Sequence, residues 1–143
     1  MSFLEMLQDI YLKYGFSREE GISVVRPGKT GADEIVAMMK NFRANPHKSL
    51  GGSPVVTIKD YSDLNCTDVQ TGKVEKMDFP TTSNVLQYFT ADGSKISIRP
   101  SGTEPKIKFY IEVRGTMNSK ADYAEAIKAA EAKTEMIKKE LGI

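Results

Sequence analysis

Tryptophan is absent from this sequence, and cysteine and histidine occur once each, as Cys66 and His47. A single cysteine cannot form an internal disulfide, so the fold needs no oxidising compartment, and a reducing cytoplasm is the expected setting. A thiol nucleophile wants a base close by and a third group to orient it. His47 is the only histidine that could serve. Cys66 is therefore read as a small loop or half-buried residue. Excess charge is also lacking: 20 Lys and Arg stand against 19 Asp and Glu, interspersed along the chain. That argues against a dedicated DNA-binding protein, which carries a strong basic excess. It leaves room for a small local anion site. No apolar run approaches the roughly 20 residues of a membrane span. The opening Met1-Ser2-Phe3-Leu4-Glu5 lacks the basic-then-apolar form of a signal peptide. Internal repeats and low-complexity stretches are missing too.

What is present is an ordinary globular composition, 40% hydrophobic and 27% charged over 143 residues. That length suggests one domain, with at most a remnant of a second, and is enough to bury a core. Residues 3 to 14 read as a helix with Phe3, Leu4, Leu7, Ile10, Tyr11 and Tyr14 near helical spacing, stopped by Gly15. Ile22 to Val25 is a short β-type run, broken by Pro27 and Gly28. Ile35, Met38, Met39 and Phe42 form the stripe of a second helix. Asp33 and Glu34 are expected in its first turn, and Asn45-Pro46 ends it.

From residue 53 to 114 the pattern becomes one of strands. Val55, Val56 and Ile58 suggest one, and Thr71-Gly72 a turn. Val85 to Thr90 and Lys95 to Arg99 flank Asp92-Gly93, a favoured hairpin turn, and Lys106 to Arg114 follows. A last helix over 119 to 141 aligns Tyr123, Ile127, Ala130, Thr134, Ile137 and Leu141, with Ser119 as its N-cap. The expected fold class is α+β: an antiparallel sheet of about four strands with two helices on one face, plus an extra N-terminal helix.

Residues 22 to 39 imitate a nucleotide-binding P-loop, with Gly28-Lys29-Thr30 between a strand and a helix. The motif needs a glycine five positions before Gly28 so that backbone N–H groups can wrap the phosphates. Ser23 stands there, and Pro27 removes an N–H. A plain strand-turn-helix connection is the preferred reading.

The informative segment is Arg99-Pro100-Ser101-Gly102-Thr103-Glu104-Pro105-Lys106-Ile107-Lys108-Phe109-Tyr110. A phosphate monoester wants convergent N–H and O–H donors and at least one fixed cation. Ser101, Gly102 and Thr103 offer three successive N–H groups and two hydroxyls, and the glycine suits an anion-holding nest. Two prolines restrict the turn. Arg99 brings a planar fork able to grip two oxygens. In the flanking strands Ile96 and Ile98, and Ile107, Phe109, Ile111 and Val113, share one face. A hairpin with Ile98 opposite Ile107 is expected, which sets Arg99 against Lys106 and Ser97 against Lys108 on the polar face. Like charges facing each other are unfavourable, and a bound anion would relieve them. From the residues alone, a solvated hairpin with ordinary surface charges stands beside this reading. A nucleic-acid-binding or regulatory anion-binding module is the other alternative. Lys106 to Tyr110 has a basic-aromatic look, although the glycine and aromatic pattern of an RRM is missing and Phe109 falls on the presumed core face.

The twelve residues from Arg99 to Tyr110 closely resemble the phosphate-binding loop of the phosphoglucomutase and phosphomannomutase (phosphohexomutase) family. Asn84 to Tyr88 before an Asp-Gly turn resembles the preceding strand. Ile10 to Gly15 resembles the helix closing that family's third domain, and Phe42 to Pro46 the end of the fourth domain's first helix. The resemblance implies residues 1–27 as terminal helix and linker of domain three, and residues 28–143 as a C-terminal phosphate-binding domain of TATA-binding-protein-like fold. It implies that Arg99, Ser101, Gly102 and Thr103 hold the non-reacting phosphate of a sugar phosphate such as glucose or mannose 1- or 6-phosphate or the 1,6-bisphosphate. Lys108 matches an assisting basic position, and Glu104 reads as a loop brace. The family's catalytic serine loop, metal loop and sugar-recognition loop have no match here. No catalytic residue, metal ligand or cofactor is expected in this chain. Mg²⁺ and a phosphoserine would belong to other domains of the parent, which would be this chain's partners, with no nucleic acid and no membrane involved.

Overall fold

The structure, a computed structural model, describes residues 2–115 and 117–143. Helix α1 (Phe3–Tyr14) leads into strand β1 (Phe16–Val25) and helix α2 (Gly28–Ala44). Strands β2 (Ser49–Leu50), β3 (Ser53–Asp60), β4 (Asn65–Asp68), β5 (Val74–Lys76), β6 (Leu86–Thr90), β7 (Lys95–Pro100) and β8 (Lys106–Gly115) follow. A short 3₁₀ turn (Lys120–Asp122) precedes helix α3 (Tyr123–Leu141). The sheet is antiparallel in the order β1-β8-β7-β6-β3-β4-β5, with β2 paired only to β3.

The α+β class and the helices on one sheet face are as the sequence predicts. Along β8 the side chains of Ile107, Phe109, Ile111 and Val113 are buried, while those between them face the open side. The rings of Phe42 on α2 and Phe109 meet edge to face at 6.0 Å. On α3 Ala126, Ala130, Thr134, Ile137 and Leu141 are buried, the stripe read from the sequence. The Tyr88 hydroxyl donates to the Phe42 carbonyl at 2.8 Å, satisfying one of the C-terminal carbonyls that α2 leaves without an intrahelical partner.

The sheet is wider than the four strands expected. Within the expected terminal helix and linker of residues 1–27, the β-type run of Ile22 to Val25 proves longer: Phe16–Val25 form β1, which pairs with β8 from Phe16↔Gly115 to Val25↔Lys106. The missed portion, Ser17-Arg18-Glu19-Glu20-Gly21, is polar because an edge strand covers little of the core. The β4–β5 hairpin around Thr71-Gly72 extends the other end with largely exposed side chains, so it carries no apolar alternation to read. Helix α2 begins at Gly28, which places Asp33 and Glu34 beyond its first turn. At the start of the last helix the Asp122 carboxylate accepts from the Asn118 and Ser119 N–H groups, both at 3.1 Å. No described helix is long and apolar enough to cross a membrane.

Helix α1 sits at the margin. Its Tyr11 ring packs edge-on to Phe16 at 4.9 Å and stacks with Tyr123 at 6.2 Å. Asp9 pairs with Lys120 at 3.1 Å. Phe3, Leu4, Met6 and Ile10 stay exposed, Phe3 by 80%. The side chain of Tyr14, expected on the same stripe, lies outside what is described.

Candidate phosphate-binding site

The β7–β8 hairpin carries the site. Its register pairs Ile98 with Phe109, Arg99 with Lys108 and Pro100 with Ile107. This is two residues away from the expected pairing, because the ladder runs on through Pro100 and shortens the loop. A shift of two preserves the faces, so the buried isoleucines and the polar row stay where the alternation put them. It changes the partners: Arg99 opposes Lys108, and Lys106 instead pairs with Glu104 at 3.4 Å. Among the described residues neither Arg99 nor Lys108 has an ion-pair partner.

The loop is braced from within. The Ser101 N–H donates to the Lys106 carbonyl at 2.8 Å, and the Lys106 N–H to the Glu104 carbonyl at 2.7 Å. Ser101 Oγ accepts from the N–H groups of Glu104 at 3.3 Å and Thr103 at 3.4 Å. Its own O–H proton stays available to an incoming acceptor. The expectation of three free, convergent N–H groups is therefore corrected. Of the three, only the Gly102 N–H has no acceptor among the described residues. The nest argument for Gly102 is corrected as well: its φ lies outside the left-handed region, and a Cβ there would meet nothing within 4 Å.

Arg99, Lys106, Lys108 and the loop from Pro100 to Glu104 surround a recess of about 410 Å³ on the open side of the hairpin. All five expected site residues, Arg99, Ser101, Gly102, Thr103 and Lys108, line it. The back of the same loop faces a second, more apolar cavity of about 350 Å³ against α2, walled by Ala32, Ile35, Val36 and Met39. Asn84 at its rim accepts from Arg43 at 2.7 Å, and Arg43 also pairs with Asp60 at 3.0 Å. Burial would raise the Asp60 carboxyl, but hydrogen bonds from Ser62 and the Arg43 guanidinium outweigh it and hold its pKa below the usual value.

Two features of the surroundings had no sequence signal. The Pro105 carbonyl accepts from the Arg26 N–H at 2.8 Å, which ties the loop to the β1–α2 turn. Gly31 on α2 packs directly on the Arg26 backbone. Both contacts run through main-chain atoms, which no side-chain motif records, and the first joins segments remote in sequence. Of the two aromatics behind the nucleic-acid look, Phe109 is fully buried, while Tyr110 on the open face is exposed. Among the described residues no cluster of three or more His, Cys, Asp or Glu is arranged to hold a metal ion.

Residues 32–130 match the family model for the C-terminal domain of phosphoglucomutase/phosphomannomutase. The chain belongs to this family. Its relatives include the phosphoglucomutase of Staphylococcus saprophyticus, 35% identical over 113 residues, which are 79% of this chain and 20% of that protein. Those of Staphylococcus haemolyticus and Staphylococcus aureus are 32% and 33% identical, over 76% of this chain in each case. The chain thus spans about a fifth of the length of the relatives it matches. Among solved structures, the open form of pp63/parafusin, a phosphoglucomutase from Paramecium, aligns with 94% of this chain and 24% of its own. Its TM-score is 0.43 at 16% identity.

Proposed function

We propose that this domain anchors the non-reacting phosphate of a sugar phosphate for a cytoplasmic phosphohexomutase that interconverts sugar 1-phosphates and 6-phosphates. The observation that carries the reading is the unpaired cationic couple Arg99 and Lys108 at the mouth of the Ser101–Thr103 loop. Arg99 offers a bidentate fork and Lys108 a point charge. The Ser101 and Thr103 hydroxyls and the free Gly102 N–H complete a donor set for one phosphate. Residues 28–143 with β1 are the working unit, and α1 is the closing helix of the preceding domain. The Mg²⁺ and phosphoserine of the parent reaction, and the sugar-recognising groups, would come from domains outside this chain. Holding the far phosphate uses remote binding energy to orient the reacting end. Alone, the domain turns over no sugar phosphate.

The test is a titration of the isotopically labelled chain with inorganic phosphate and with glucose 1-phosphate, following the Gly102 amide by NMR. Saturable movement of that amide with either ligand is expected. A Gly102 amide that stays still at saturating phosphate rejects the proposal. Salt-sensitive binding of single-stranded RNA, with no response to phosphate, would replace it with the nucleic-acid reading.

A further inference from the structure

We infer that the glycine which positions the phosphate loop is Gly31, on α2, and not Gly102 inside the loop. The inference rests on the anion reading of the recess and names what holds that site in shape.

At Gly31 a Cβ would lie 1.8 Å from the Arg26 carbonyl oxygen, 2.4 Å from its carbonyl carbon and 3.0 Å from its Cβ. These are main-chain or near-main-chain atoms, so no side-chain rotation relieves the overlap. One backbone must retreat by about 1.2 Å to reach even the 3.0 Å limit. Helix α2 cannot retreat easily, because Ile35, Met39 and Phe42 are buried in the core and Tyr88 holds the Phe42 carbonyl. The turn after β1 is the weaker party. Besides its backbone bond, Arg26 is fixed by an exposed ion pair to Glu34 at 3.5 Å, and such pairs contribute little.

Arg26 is also the residue whose N–H holds the Pro105 carbonyl. Pro105 ends the loop and adjoins Lys106, whose carbonyl accepts from Ser101. A displacement of Arg26 therefore passes through two hydrogen bonds to Ser101. The apolar cavity behind the loop gives it space to move, since Pro100 to Pro105 face α2 across that gap. Gly31 is thus a positioning residue acting through Arg26. Gly102 needs no special backbone angle and has open space around its Cα.

The experiment compares the parent chain with Gly31→Ala and, as a glycine control outside the recess, Gly21→Ala, titrated with inorganic phosphate. Gly21→Ala, whose Cβ would meet only the Tyr110 ring at an ordinary 3.6 Å, should hold phosphate within about twofold of the parent. Gly31→Ala should weaken it by roughly tenfold to a hundredfold, the scale on which misplacing a group by about 1 Å acts. The Arg26 amide should lose exchange protection in Gly31→Ala while the core strands keep theirs. Should Gly31→Ala fail to fold, the parent chain alone decides. Phosphate must then slow exchange of the Arg26 amide, because coupling between the bond and the ligand is reciprocal. Equal phosphate affinity in Gly31→Ala and the parent overturns the inference, as does an equal loss in Gly21→Ala. So does an Arg26 amide indifferent to phosphate while Gly102 responds. A parent whose Gly102 amide ignores phosphate removes the anion reading itself.

Discussion

Arg99 on β7 stands directly opposite Lys108 on β8, two cations facing each other across one rung of the ladder, and among the described residues neither has an ion-pair partner. In an antiparallel pair such residues have Cα atoms about 5 Å apart. Their repulsion opposes folding, and an anion held between them would offset it.

Removing either cation should consequently separate stability from binding. Arg99→Ala is expected to cost about 1.5–3 kcal/mol of phosphate binding, the contribution of a charge-assisted bond. Arg99→Lys should recover part of it, since the charge returns without the fork. In phosphate-free buffer neither Arg99→Ala nor Lys108→Ala should melt below the parent, because a like-charge contact is relieved. Calorimetric titration and thermal melts in two buffers read both quantities. A large drop in melting temperature without phosphate would show that these side chains brace the fold.

Tyr88→Phe should destabilise the domain by about 1–3 kcal/mol, because the Phe42 carbonyl loses its partner inside the core. Burial raises the phenol's pKa well above the tyrosine range, with Asp60 adding to it against Arg43, so Tyr88 remains a donor at ordinary pH. Urea unfolding of the pair of proteins measures the difference. Equal midpoints would contradict the capping role.

Asp92 gives a prediction in acid. Burial would raise its carboxyl, but bonds from Lys133, Thr90 and Ser94 prevail and hold the pKa down to about 2 from 3.8. A depressed folded pKa contributes stability that is complete above the unfolded value and is lost as pH falls through the folded one. The melting advantage of the parent over Asp92→Asn should be constant above pH 3.8 and shrink toward pH 2. An advantage independent of pH in that window would exclude a charge effect.

The first helix should exchange its amides fastest among the helices. Among the described side chains of this helix, Tyr11 is the one that meets the core rings, and the Ser2–Glu5 capping box stabilises only the helix's own end. Hydrogen exchange over residues 3 to 14 should show less protection than β7 and β8. Tyr11→Ala should abolish what protection there is while leaving the sheet intact. Protection equal to the core strands in a proven monomer would refute this.

The central layer was legible in the sequence because one physical rule governs it. Ile96, Ile98, Ile107, Phe109, Ile111 and Val113 alternate with polar neighbours, and burial on one face demands that alternation. The same rule is blind to a slip of two residues, which is why the partners of Arg99 and Ser97 were misread while their face was not. The α3 stripe was legible for the matching reason at helical spacing. Within the site, the donors were visible as residue types. Their availability was not, since Ser101 and Thr103 turn N–H groups inward through backbone geometry.

Strand β1 was the least legible element, and the cause of that has another effect. It forms one end of the sheet, where a free row of N–H and C=O groups invites a foreign strand. Arg18, Glu19 and Glu20 in succession, followed by Gly21, make that margin a poor template for a second chain. The charges that hide the strand from a reader searching for apolar alternation also guard the domain against growing edge to edge into aggregates.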